Sequence, residues 1–268
     1  MANQSLTAWL NNDAIKKKLV DRLGKNAEVF RSTLINIYNS NPQLQNCDGR
    51  SILGAAFFAT SLNLSIAPGL AQAYIVPFKV YDKDLRKDIY KATFQIGTKG
   101  YLQLALRTGQ YARINASKVC EGEIRGFNPI TGEPVLGDKL SNEIIGYVAY
   151  MQLINGFEKT LYMTKPEIQA YAEKYSPSYN YDRRNGKNSS PWSTNFDEMA
   201  TKTVLKKLLR SWGILSSDLV SALRGDQSIV DKNTFSYPDN GNVQSREEIY
   251  LPDEQHSVNE EIDTVVRR

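Results

Sequence analysis

Histidine is almost absent from this chain of 268 residues: the single one, His256, lies close to the C-terminal end. That scarcity disfavours imidazole catalysis, His-containing zinc sites and Ser-His-Asp hydrolysis, each of which needs the residue in the folded body. Cysteine is nearly as scarce. Cys47 and Cys120 are too few for a disulfide framework and fit a reducing compartment, where both read as ordinary, partly buried thiols. The longest apolar run, around Ile52 to Ala59, is about eight residues, against the roughly twenty that a membrane span requires. No basic region followed by an apolar stretch opens the sequence, so no signal peptide is expected. A Gly-x-x-x-x-Gly-Lys-[Ser/Thr] element is also missing, which disfavours a Walker-type ATPase; Gly97-Thr98-Lys99-Gly100 is too short and wrongly arranged. Internal repeats at solenoid periods do not occur.

What is present is a chain 41% hydrophobic, enough for one sizeable core, with its charge unevenly divided. Asp226 to Arg268 holds 4 Lys/Arg and 10 Asp/Glu, a net of −6, which leaves 29 basic and 19 acidic residues before it, a net of +10. A basic body attracts polyanions by counterion release. Charge alone does not choose between DNA, RNA and a membrane surface. The expected organisation is therefore a body over residues 1–225, beginning with a helical arm over 1–25, and a flexible acidic tail over 226–268.

Local signals place the elements. Asn12 or Asp13 caps a short helix that Gly24 ends; a second helix runs from Ala27 to Tyr38 and a third, capped by Asp48, from Ser51 to Leu64. Ala73 to Val80 and Tyr90 to Gln95 read as strands around a charged connection, with Pro77 marking an edge position or a bulge. Ala112 to Cys120 alternates as a strand, and Gly126 to Gly137 reads as a loop. Ile144 to Leu153 and Phe157 to Met163 flank Asn155-Gly156, a strong hairpin signal. Thr164-Lys165-Pro166-Glu167 is a capping-box pattern that starts a helix to about Tyr175. A polar segment follows, then a long helix over Asn195 to Trp212 and a shorter one around Ser217 to Leu223. Early helices, a central meander of about five strands and late helices make the class α+β.

Three features carry chemistry. Lys99, Gln103 and Arg107 lie at i, i+4 and i+8 after a glycine turn, so they share a helix face whose first turn favours an anion. Spacing alone fits a merely solvated face equally well. On the long helix, Lys202, Lys206 and Arg210 form a second such stripe beside an apolar arc of Val204, Leu205, Leu208, Leu209 and Trp212, with Lys207 close by. Between them, Arg183, Arg184 and Lys187 are interleaved with Tyr175, Tyr179, Tyr181 and Trp192, a composition suited to stacking on bases or to a mobile loop with rings tucked onto the core. Glu121 and Glu123 share a strand face and offer a rival reading, a Mg²⁺-dependent nuclease, against the simpler one of a solvated strand end.

The run Gln95-Ile96-Gly97-Thr98-Lys99-Gly100-Tyr101, continued by Leu104-Ala105, Arg107-Thr108 and Gly109, resembles the shared core of the RecT family of phage and prophage single-strand annealing proteins. Two later blocks, Leu153 to Thr160 and Asp197 to Ser216, are similar to the family's in the same order, so the resemblance covers roughly residues 26–217. It implies a curved antiparallel β-sheet packed with helices, as in other phage annealing proteins. It also implies ATP-independent binding of single-stranded DNA and annealing of complementary strands in recombination, with no cofactor and no catalytic step. The implied partners are single-stranded DNA, the annealed duplex intermediate and further copies in a ring or helical filament. A phage exonuclease and a host single-strand-binding protein are candidates for the tail, and the implied location is the cytoplasm of a bacterial host, with the gene carried by a phage or prophage. Matching positions carry over Gln95, Lys99, Arg107, Lys202 and Thr203 as DNA-binding; Gln103, Lys206, Lys207 and Arg210 follow from helical spacing, Arg183 and Arg184 from the aromatic-basic segment, and Lys159 is a further candidate. A protein that coats single strands without annealing them remains the alternative.

Overall fold

Residues 6–82, 86–231 and 234–238 are described by the structure, a computed structural model; the remainder of the expected acidic tail, His256 included, lies outside them. The chain opens with α1 (Leu6–Leu10), α2 (Asp13–Leu23) and α3 (Ala27–Ser40). The Asn12 side chain accepts the Ala14 N–H at 2.9 Å to start α2, and Gly24, at φ +54°, ends it. α1 and α2 rest on α3 through Leu6, Leu10, Leu19 and Leu34, all buried. α4 (Gly49–Ser61) follows, with Asp48 accepting from the Arg50 N–H. Its Ser51 hydroxyl accepts the Ala92 N–H at 2.8 Å and so pins the helix to the next strands.

β1 (Ala73–Asp82) and β2 (Lys87–Ile96) pair antiparallel in unbroken register, from Ala73 opposite Ile96 to Asp82 opposite Lys87. Both strands extend into the charged segment read as a connection. Pro77 lies on β1, which among the described residues pairs only with β2, so its missing N–H faces an edge as expected. α5 (Thr98–Leu106) leads to β3 (Tyr111–Cys120), and the expected Gly126–Gly137 loop is a small hairpin, β4 (Ile124–Phe127) with β5 (Pro134–Leu136). β6 (Ile144–Leu153) and β7 (Glu158–Thr164) flank the Asn155-Gly156 turn, where Gly156 adopts φ +86°. α6 (Lys165–Tyr175) begins with the full capping box between Thr164 and Glu167.

The expected polar loop after Tyr175 is instead helical, as α7 (Pro177–Asn185) and α8 (Pro191–Thr194). Asp182 is the reason. Its buried carboxylate accepts from the Ser189 N–H and hydroxyl, the Ser190 N–H and the Ser193 hydroxyl, which folds the segment back on itself. Those hydrogen bonds, from Ser189 first, hold its pKa below the usual carboxylate range. α9 (Phe196–Trp212) and α10 (Ser217–Gly225) complete the helices, and β8 (Ile229–Asp231) pairs with β9 (Thr234–Ser236).

The class is α+β with antiparallel sheets, but the five long strands do not share one sheet. β1 and β2 form one pair, and β3, β6 and β7 form a three-stranded sheet in the order β3-β6-β7. α9 lies across the inner face of the latter. Tyr147, Ala149 and Met151 of β6 point inward with Val204, Leu205, Leu208 and Leu209 of α9, all buried, each large apolar side chain contributing about 1.5–3 kcal/mol. At the head of α9, Asp197 accepts from the Tyr147 hydroxyl at 2.6 Å and pairs with Lys118 at 3.1 Å. The chain does not leave the body at Gly225. Asp226 and Ser228 are buried, β8 packs on α4, and one compact unit continues to Pro238.

Candidate nucleic-acid interface

The turn from β2 into α5 is built around a close approach of two backbones. The Gly97 N–H donates to the Gln72 carbonyl at 2.9 Å. A Cβ at Gly97 would lie 2.1 Å from the Ala71 carbonyl oxygen, and one at Gly100 would lie 2.2 Å from that of Gln72. Only glycine lets the helix begin here. Behind the turn Tyr101 is fully buried, while Lys99 and Gln103 are exposed on the outward face. Arg107, the third of the expected trio, is also accessible but structurally engaged. Its guanidinium donates to the Leu62 carbonyl at 2.6 Å and to that of Asn63, closing the C-terminal end of α4. Gln95 is half-buried on β2, opposite Tyr74.

The stripe expected on α9 is turned inward at two of its positions. Lys202 is 8% exposed and sits 3.6 Å from Asp226; Lys206 lies 2.6 Å from the other oxygen of the same carboxylate. That carboxylate also accepts the Ile96 N–H at 3.0 Å and the Tyr101 hydroxyl at 2.8 Å. Burial opposes the Asp226 charge, but Lys202 and Lys206 overcome it and hold its pKa below the usual carboxylate range. Burial lowers the pKa of Lys202, whose longer contact with Asp226 offsets this only in part. One aspartate thus gathers β2, α5 and α9 around the turn that carries Lys99. Thr203 is buried as well, its hydroxyl bonded to the Met199 carbonyl of its own helix.

The next residue around the helix faces outward. Lys207 is exposed and lies 5.3 Å from the ring centroid of Tyr171 on α6. Tyr171 and Tyr175 are 4.5 Å apart, and Lys174 lies 5.1 Å from the Tyr175 ring. Lys187 lies 5.2 Å from the Tyr181 ring. Cations placed against rings are therefore the recurring motif on α6 and α7, although Arg183 is paired with Glu173. Arg184 is exposed and Arg210 half-buried. Trp192 is buried, as a core residue would be.

The paired carboxylates of the nuclease reading serve a turn. Glu121 accepts from the Ser141 hydroxyl at 2.9 Å and Glu123 from the Cys120 N–H at 2.7 Å, across Gly122 at φ +89°. Among the described residues no group of three or more His, Cys, Asp or Glu is arranged for a metal ion, and no helix is long and apolar enough to cross a membrane. Both cysteines are free thiols, and burial pushes that of Cys47 up to about 11.

The sequence model of the RecT family matches residues 28–238, nearly the whole of the compact unit. The chain belongs to the RecT family. An uncharacterised protein of Bacillus subtilis, YqaK, is 39% identical over 221 residues, covering 82% of this chain and 71% of its own. The RecT protein of Escherichia coli is 26% identical over 215 residues, covering 78% and 75%. The RecT match continues past Gly225 and β9 to residue 238, so it includes Asp226. No sequence signal singles out that residue: it is one acid among ten in an acid-rich segment. Of the lysines that it binds, the sequence marks Lys206 by the amphipathic stripe and Lys202 by that stripe and by the family motif, neither of which points to Asp226.

Proposed function

We propose that this chain binds single-stranded DNA through its phosphates and anneals complementary strands without ATP, as a recombination protein. Membership of the RecT family over residues 28–238 carries the reading, and exposed basic side chains on α5, α7 and α9 support it. Lys99 and Gln103 on α5 and Lys207 on α9 are groups available to a backbone, and Arg184 is a further cation on α7. Lys202 and Lys206 hold α9 to Asp226, Arg107 closes the end of α4 and Thr203 bonds within α9, while Lys206 stays partly accessible. Arg183 pairs with Glu173, and Gln95 and Arg210, both half-buried, are further candidates for contact with a strand.

Annealing requires two polyanions to approach with base edges free. Lysines that neutralise one backbone lower the repulsion without reading sequence, and Watson–Crick pairing then supplies the specificity. Copies arranged side by side, in a ring or a helical filament, would extend the face along a strand. The residues after Pro238 are the proposed recruiting segment for an exonuclease or a host single-strand-binding protein. The reading assigns no catalytic residue and no cofactor. It is tested by mixing labelled complementary and non-complementary strands with the protein, without nucleotide and in the presence of EDTA. Accelerated pairing of complementary strands alone is expected. Coating of both without pairing would replace annealing by the simpler binding role.

A further inference from the structure

At the far end of α9 the side chain expected in the core is not there. Trp212 is 49% exposed, and the Phe157 ring beside it, on the β6–β7 turn, is 41% exposed. The two ring centroids are 6.4 Å apart with planes inclined by 28°, and the Lys159 ammonium lies 4.9 Å from the indole centroid. Their backbone is tied down on every side. The Ile214 N–H donates to the Tyr111 hydroxyl at 2.8 Å, the Gly213 N–H to the Leu209 carbonyl at 3.0 Å, and the Ile154 N–H to the Gln110 carbonyl at 3.0 Å. The neighbouring Glu158 is turned to the opposite sheet face, where it accepts from the Tyr150 hydroxyl.

We infer that Trp212 and Phe157 form a base-stacking platform for single-stranded DNA, with Lys159 meeting the adjoining phosphate; this rests on the proposed DNA-binding function. A dry protein contact over this surface would have to strip water from an ammonium lying against the indole, at a cost no apolar partner repays. A nucleotide meets both features, with a π-face for the rings and an anion for the lysine. Stacking is indifferent to sequence, as annealing requires. Both later sequence blocks converge here, one contributing Phe157 and Lys159 and the other Trp212.

The test compares a thymidine oligonucleotide with an abasic oligonucleotide of the same length, each titrated into wild-type protein, Trp212→Ala and Trp212→Phe. A stacked base is worth about 1–3 kcal/mol on truncation to alanine, so Trp212→Ala should weaken thymidine binding by about 5- to 150-fold. Trp212→Phe should stay within about 3-fold of wild type, because it retains a ring. Abasic binding should be unchanged in both variants. Wild-type binding with no thymidine-specific loss in Trp212→Ala overturns the platform and leaves DNA binding standing. Equal losses on both probes, with a changed sedimentation of the DNA-free protein, would make the surface a contact between copies. Failure of the wild-type protein to bind either probe would sink the DNA-binding function and the platform together.

Discussion

Replacing Asp226 with asparagine should unfold this protein far more readily than its place at the edge of an acid-rich segment suggests. The substitution keeps the shape and the acceptor for the Ile96 N–H, but it removes the charge that faces Lys202 and Lys206 and the oxygen that receives the Tyr101 hydroxyl. Breaking a buried ion pair from one side costs about 3–5 kcal/mol, because the remaining charge stays desolvated. For a body of this size that corresponds to a fall in melting temperature of roughly 6–20 °C. The pH dependence gives an independent readout. Asp226 is held below its unfolded value, which lies near 3.9, so its contribution is complete above that pH and is lost as the pH falls towards the folded value. Wild-type stability should therefore drop on acidification below about pH 4, and Asp226→Asn should lack that share of the drop. Adding Lys206→Met should recover part of the loss by removing one orphaned ammonium. Thermal and urea melts from pH 3 to 7 measure all of this. An Asp226→Asn protein within about 0.5 kcal/mol of wild type, the range of an ordinary surface substitution, would refute the hub.

Gly100→Ala should destabilise the protein by about 1–3 kcal/mol through overpacking against the Gln72 carbonyl, whereas Gly126→Ala, whose Cβ meets nothing within 4 Å, should change little; paired melting curves decide. Truncation after Pro238 should leave the melting temperature of the body intact, and truncation after Gly225, which removes Asp226 and β8, should not. Equal stability of the two shortened chains would show that the body ends where the charge changes sign.

Elements fixed by short-range chemistry were legible in the sequence. Asn12, Asp48 and Thr164 cap their helices as their side chains suggest, and Asn155-Gly156 turns its hairpin. Partners distant in sequence were not. Periodicity places Lys202 and Lys206 on one side of α9 but does not say that an aspartate 20 residues beyond Lys206 will bind them. Nor does it say that Arg107 will reach back 45 residues to Leu62. The same long-range packing explains Trp212. It belongs to the apolar arc by angle, but the sheet ends beneath it, and the last turn of the helix projects past the core. The segment after Tyr175 departs from its polar pattern for a different reason: its polar residues satisfy one another around Asp182, so a stretch with little apolar content still folds into helix.

The central claim is that exposed cations, Lys99 and Lys207 among them, hold the phosphates of a single strand. It is tested most directly by measuring oligonucleotide affinity against salt concentration for wild type and for the double variant Lys99→Ala, Lys207→Ala. Affinity should fall linearly on a log–log plot, and removing two contacts should make the slope shallower by about 1.4, since each single-strand phosphate contributes about 0.7. A folded double variant with wild-type affinity and an unchanged slope would contradict the account.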